Sequence, residues 1–120
     1  MRRLVLTQVV PLLVWGADVT GTWRGETTGR DGRTREIVLD LKADGSRLSG
    51  TMRGPMGREF PISDGRVEGD QVRFVVVFDS GGNDVKLHYT GKLEGDELQM
   101  KSQREGTPRV NEFTVKRARR

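Results

Sequence analysis

Residues 68–96 read EGDQVRFVVVFDSGGNDVKLHYTGKLEGD. Two apolar-rich runs lie between Glu68-Gly69-Asp70, Ser80-Gly81-Gly82-Asn83 and Glu94-Gly95-Asp96. In the first run Val72, Phe74, Val76 and Phe78 form one face. In the second, Val85, Leu87, Tyr89 and Leu93 alternate with Lys86, His88, Thr90 and Lys92. A period of two with one wet face is the mark of an antiparallel strand, and glycine-rich links supply the positive φ that tight hairpins need. Neither run keeps a helical period. The stretch predicts two strands joined by a hairpin.

The same grammar extends in both directions. Further turns are expected at Arg30-Asp31-Gly32, Ala43-Asp44-Gly45, Gly54-Pro55-Met56-Gly57 and Glu105-Gly106-Thr107-Pro108. Between them, Ile37, Leu39 and Leu41, then Leu48 and Met52, Leu98 and Met100, and Phe113 and Val115 alternate with polar residues. Seven turns thus separate eight short segments. Eight short-looped antiparallel strands remove their edges by closing, which predicts an all-β fold: an eight-stranded antiparallel up-and-down barrel. Such a barrel has room inside for side chains or one small ligand.

A chain of 120 residues fits one domain, expected over residues 18–120. With no cysteine, disulfides, thiolate nucleophiles, zinc–thiolate sites and Fe–S clusters are excluded, and a single histidine, His88, excludes a multi-His metal site. Lys and Arg number 21 against 17 Asp and Glu, but the excess sits at Arg2, Arg3 and the Lys116–Arg120 tail, leaving the body near neutral. Arginine outnumbers lysine 16 to 5 and mostly alternates with acidic residues, with no interleaved aromatics to stack on bases. That pattern reads as a mixed solvated surface and not as a nucleic-acid footprint.

Residues 1–17 begin Met-Arg-Arg, continue through an apolar run from Leu4 to Trp15, and end on Gly16-Ala17. A basic start, an apolar run and a small-residue exit match a secretory signal peptide, too short to span a bilayer as a helix. The expectation is a secreted or periplasmic protein with no stable membrane span after processing. The alternative is an ordered N-terminal arm packed on the domain.

The segment Val19-Thr20-Gly21-Thr22-Trp23 carries a Gly-x-Trp that resembles the first strand of calycin barrels, the lipocalins and avidins. The avidin likeness runs on through Ala43 to Thr51, and the chain also resembles small secreted bacterial lipocalin-like proteins of unassigned function, ending in Glu112-Phe113-Thr114-Val115-Lys116-Arg117. An avidin likeness would imply biotin binding, yet the only tryptophans are Trp15 and Trp23, too few for an avidin-type pocket. A lipocalin likeness implies a small apolar ligand. In lipocalin-like barrels an arginine of the last strand covers the first-strand tryptophan at the closed end, which marks Trp23 and Arg117 as a structural floor. Up-and-down strand counting places both residues at the same end. The alternative for Arg117 is a place in a solvated basic tail.

Strand parity points other side chains inward at the opposite, open end. Arg35 and Arg104 share parity with Leu39 and Met100, with Met52, Phe60, Phe78 and Ser102 around them and Tyr89 lower down. Two inward arginines over an apolar wall could receive a carboxylate. Alternatively they snorkel outward, or pair with Glu36 or Glu105. No nucleophile motif, metal-ligand spacing or cofactor fingerprint stands out. Asp79-Ser80-Gly81-Gly82-Asn83-Asp84 lacks the ligand spacing of an EF-hand and reads as a hairpin. Val75 and Val77 make the second face of their strand apolar as well, which calls for cover by the N-terminal segment or by a second copy in a homo-oligomer. The leading expectation is a non-enzymatic barrel binding a small molecule, with a pocket suited to a small amphipathic acid, or binding a partner protein. The alternatives are a cofactor-independent cyclase or isomerase using the mouth arginines with Tyr89 as general acid, or an oligomeric interaction module.

Overall fold

A computed structural model describes residues 18–28, 32–54 and 57–118; the leader expectation falls on residues 1–17, outside the described residues. Eight strands occupy the eight expected segments: β1 (Gly21–Thr28), β2 (Thr34–Asp44), β3 (Arg47–Arg53), β4 (Glu59–Glu68), β5 (Gln71–Ser80), β6 (Asn83–Glu94), β7 (Glu97–Arg104) and β8 (Val110–Arg117). Each pairs antiparallel with the next, and β8 returns to β1, so the sheet closes into an up-and-down barrel. The architecture is compatible with a calycin-like fold. The β5–β6 link shows why the local sequence dictates it. Gly81 and Gly82 both take positive φ, 63° and 89°, the pair of values a two-residue hairpin of matching twist requires and that only glycine adopts freely.

One end of the barrel carries the β2–β3, β4–β5 and β6–β7 hairpins together with Asp18–Thr20 and Arg117. The other carries the remaining four links. Alternation fills the interior with Trp23, Leu39, Phe74, Leu98, Met100 and Val115, all essentially without solvent exposure. Val38 departs from the simple alternation. It faces outward between Arg24 and Arg53 in the register, yet is only 3% exposed.

Strand β4 holds an irregularity that alternation alone does not foresee. Its register against β5 shifts between Ser63 and Arg66, and its register against β3 shifts over the same stretch. Asp64 sits there at φ 54°, the one non-glycine residue with positive φ among the described residues. One extra residue on a strand is a β-bulge, which reverses the parity beyond it. Phe60 and Ile62 pack on the core before the bulge, Val67 after it. Arg66 is thereby turned to the outer wall.

Closure imposes one steric condition. Gly25 lies opposite Val115 at the β1–β8 seam. A methyl group there would overlap the Thr114 carbonyl oxygen and lie 2.8 Å from the Val115 Cγ1. Gly25→Ala is expected to cost about 1–3 kcal/mol by forcing the seam apart. Gly54→Ala, where nothing lies within 4 Å of the added carbon, should be near neutral. Urea unfolding midpoints of the two variants check this, and equal midpoints would contradict the seam constraint.

Candidate functional site

The closed end is built from the chain's first described residues. Asp18–Thr20 run beneath the barrel, Val19 is fully buried, and its carbonyl accepts a hydrogen bond from the Trp23 indole Nε1 at 3.0 Å. The Arg117 guanidinium lies 4.4 Å from the centroid of the Trp23 ring. Its Nη1 donates to the Thr20 carbonyl at 3.1 Å and its Nη2 to the Asp18 carbonyl at 3.0 Å, while Nε faces Asp96 Oδ1 at 3.4 Å. The cation thus has a ring on one face, carbonyls ahead and a carboxylate behind. A planar guanidinium can do all three at once, and a lysine cannot. Trp23→Ala is expected to cost about 3–5 kcal/mol through the cavity left behind, and Arg117→Ala about 1–2 kcal/mol. In a Trp15→Phe background Trp23 fluorescence should be blue-shifted in the parent and move to the red in Arg117→Ala. Emission at the wavelength of free indole in the parent would contradict the floor geometry.

Above the floor the interior is occupied by rings. Tyr89 stacks on Phe74, with centroids 5.0 Å apart, and meets Phe113 edge-on at 6.3 Å. It is 5% exposed, and burial pushes its hydroxyl pKa up to about 12. A group so reluctant to ionise and held inside a ring stack lends no support to a role as general acid. Because folding raises this pKa, Tyr89 contributes stability in full below pH ~10 and loses that contribution as the pH rises through about 12. Tyr89 is the chain's single tyrosine. Phenolate absorbance should therefore stay flat past pH ~10 in the folded protein and appear only near 12 or together with unfolding. A normal titration near 10 would contradict the burial.

At the open end a concavity of about 810 Å³ is lined by Thr28, Phe78, Leu87, Ser102, Arg104, Thr107, Arg109 and Asn111. Of the residues that parity placed at the mouth, Phe78, Ser102 and Arg104 meet here. Phe60 touches the group from the side, its ring 6.0 Å from that of Phe78. Met52 is buried opposite Leu39 and Phe60, and half-buried Arg35 lies opposite Thr27; neither lines the concavity. Glu36 is ion-paired with Arg24 at 3.6 Å, and Glu105 is hydrogen-bonded to His88 Nε2 at 2.9 Å. The His88 hydrogen bond holds the Glu105 carboxyl below the usual glutamate range. Arg104 and Arg109 are exposed, and among the described residues neither has a carboxylate at ion-pair distance.

Arg109, Leu87 and Asn111 are lining residues that strand counting did not nominate. Alternation turns Leu87 inward, but only the register, which sets it opposite Arg104, gives its height. Arg109 belongs to the β7–β8 link, where parity is undefined. Its place follows from Thr107, whose N–H and hydroxyl both donate to the Arg104 carbonyl at 3.1 Å and whose carbonyl accepts from Gln103 Nε2 at 2.9 Å. The Asp79–Asp84 stretch is a hairpin, with Gly82 N–H donating to Asp79 Oδ1 at 3.1 Å. On the outer wall Val75 is half-buried and Val77 is 38% exposed.

No protein-family model matches the chain, and no curated protein or solved structure matches it either.

Proposed function

We propose that the protein is an exported, lipocalin-like barrel that binds a small amphipathic acid at its open end and does no chemistry on it. The observation that carries this reading is the pair Arg104 and Arg109 on the rim of a concavity whose apolar wall is Phe78 and Leu87. Among the described residues neither cation has a carboxylate at ion-pair distance, and an anionic guest supplies the counter-charge. Charge-assisted hydrogen bonds to such a guest are worth about 1.5–3 kcal/mol each. Ser102, Thr107 and Asn111 add neutral partners for a second polar group. The basic, apolar and small-residue sequence of residues 1–17 supports export, and the Gly-x-Trp of Gly21 to Trp23 within a closed meander supports the lipocalin likeness.

A thermal-shift series with short- and medium-chain carboxylates tests the site. At about 100-fold excess over Kd the parent should gain about 2.7 kcal/mol of stability. The gain should vanish in Arg104→Ala/Arg109→Ala and persist in Arg35→Ala, while the matching uncharged alcohols should give little. Equal stabilisation of the parent and the double variant would overturn the proposal.

A further inference from the structure

Several cations of the outer wall are paired with carboxylates of a neighbouring strand. Arg24 faces Glu36 and Arg53 faces Glu59, at 3.6 and 4.0 Å. Lys101 faces Glu112 and Lys116 faces Glu97, at 4.0 and 3.8 Å. These four cations thus sit beside carboxylates on the neighbouring strand. Across β3, β4 and β5 the register sets Arg47 opposite Arg66, and Arg66 opposite Arg73, with Asp44 opposite Arg47 on its other side. All three are exposed, and among the described residues none has a carboxylate at ion-pair distance. Like charges directly opposite in a sheet destabilise it. The bulge in β4 creates the row. Without the extra residue Gly65 would face outward opposite Arg73, and Arg66 would point into the core.

The row lies along a groove of about 890 Å³, which Ser49 and Thr90 also line. A second concavity of about 460 Å³ shares Arg66, Arg73 and Thr90 with it and adds Lys92 and Lys101. Asp44, Asp64 and Glu68 also line the two, so cations outnumber carboxylates there. Phe74 and Tyr89 are the aromatic residues of this lining, and both are buried and stacked on each other in the interior. The exposed His88 imidazole is the one ring of this lining on the outer face, and it is hydrogen-bonded to Glu105 at 2.9 Å. The first and third arginines are two strand spacings apart, about 10 Å at the wall, more than a single tetrahedral anion spans.

We propose that Arg47, Arg66 and Arg73 form a binding site for a multivalent oxyanion, a ligand carrying two or more neighbouring phosphate groups. The guanidinium forks bind the phosphate oxygens, and the Ser49 and Thr90 hydroxyls donate beside them. The site is separate from the open-end concavity and does not depend on it.

Tripolyphosphate is the soluble probe, and phosphatidylcholine vesicles carrying cardiolipin are the membrane probe, each titrated at low and moderate salt. The parent should bind tripolyphosphate more tightly than sulfate at equal ionic strength, and less tightly as salt rises. Arg66→Gln should weaken binding about tenfold or more. Arg24→Gln, on the paired part of the wall, should leave it unchanged. Unliganded Arg66→Gln should melt no lower than the parent, since it relieves repulsion, which separates loss of a site from loss of the fold. Binding to tripolyphosphate alone assigns a soluble oligophosphate, and Arg66-dependent binding to both probes assigns a phosphorylated headgroup. Equal losses in Arg66→Gln and Arg24→Gln, or no preference over sulfate, would overturn the proposal.

Discussion

The seam between β1 and β8 decides whether this chain is a barrel or an open sheet. It is the shortest pairing in the structure, running only from Trp23 opposite Arg117 to Glu26 opposite Thr114. Two features hold it. Gly25 lets the backbones approach where a side chain would collide with Thr114. Arg117, at the end of the seam, ties the last strand to the segment before the first through the Thr20 and Asp18 carbonyls. The guanidinium thus does for the chain ends what hairpins do for the other strands. Loss of this contact would expose two strand edges as well as an indole, and unpaired edges are where sheets aggregate.

The two ends are consequently unlike. At the floor the Arg117 cation, the Trp23 ring, the Thr20 and Asp18 carbonyls and the Asp96 carboxylate satisfy one another. At the open end Arg104 and Arg109 stand over Phe78 and Leu87. The register sets Tyr89 opposite Ser102, one inward step below Leu87 and Arg104, so the ring stack with Phe74 and Phe113 lies under the mouth. The stack supports the concavity from beneath and limits its depth. Affinity in a shallow site comes chiefly from its few placed polar groups, because little ligand surface can be buried.

Much of this was legible in the sequence for a simple reason: hairpin glycines and period-two alternation are local, and an up-and-down meander uses only local connections. The segments, their antiparallel order and the inward parity of residues such as Trp23, Leu39, Phe74 and Val115 follow from those signals alone. The β4 bulge does not. Asp64-Gly65 is the same dipeptide as Asp44-Gly45, which ends β2 at its hairpin, and only the pairing with β3 and β5 decides that here it bends a strand. Arg109 was hidden because a link has no parity, and the depth of Tyr89 because ring stacking sets it. Arg35 shows the remaining gap: its inward parity is one coordinate, and its distance around the rim from Arg104 is another that alternation does not contain.

The bulge also explains why the arginine row lies where it does. A register slip of one residue exchanges the two faces of a strand, so the sequence beyond a bulge must be written for the opposite parity. In β4 that rewriting puts Val67 inside, as the core needs, and Arg66 outside. Any polar residue at position 66 would have met the solvation requirement. Placing an arginine there, between Arg47 and Arg73, adds repulsion that packing does not call for. Arg24, Arg53, Lys101 and Lys116, by contrast, have carboxylates on the neighbouring strand at ion-pair distance. The cost of the arginine row is offset when an anion with charge at several points lies along it.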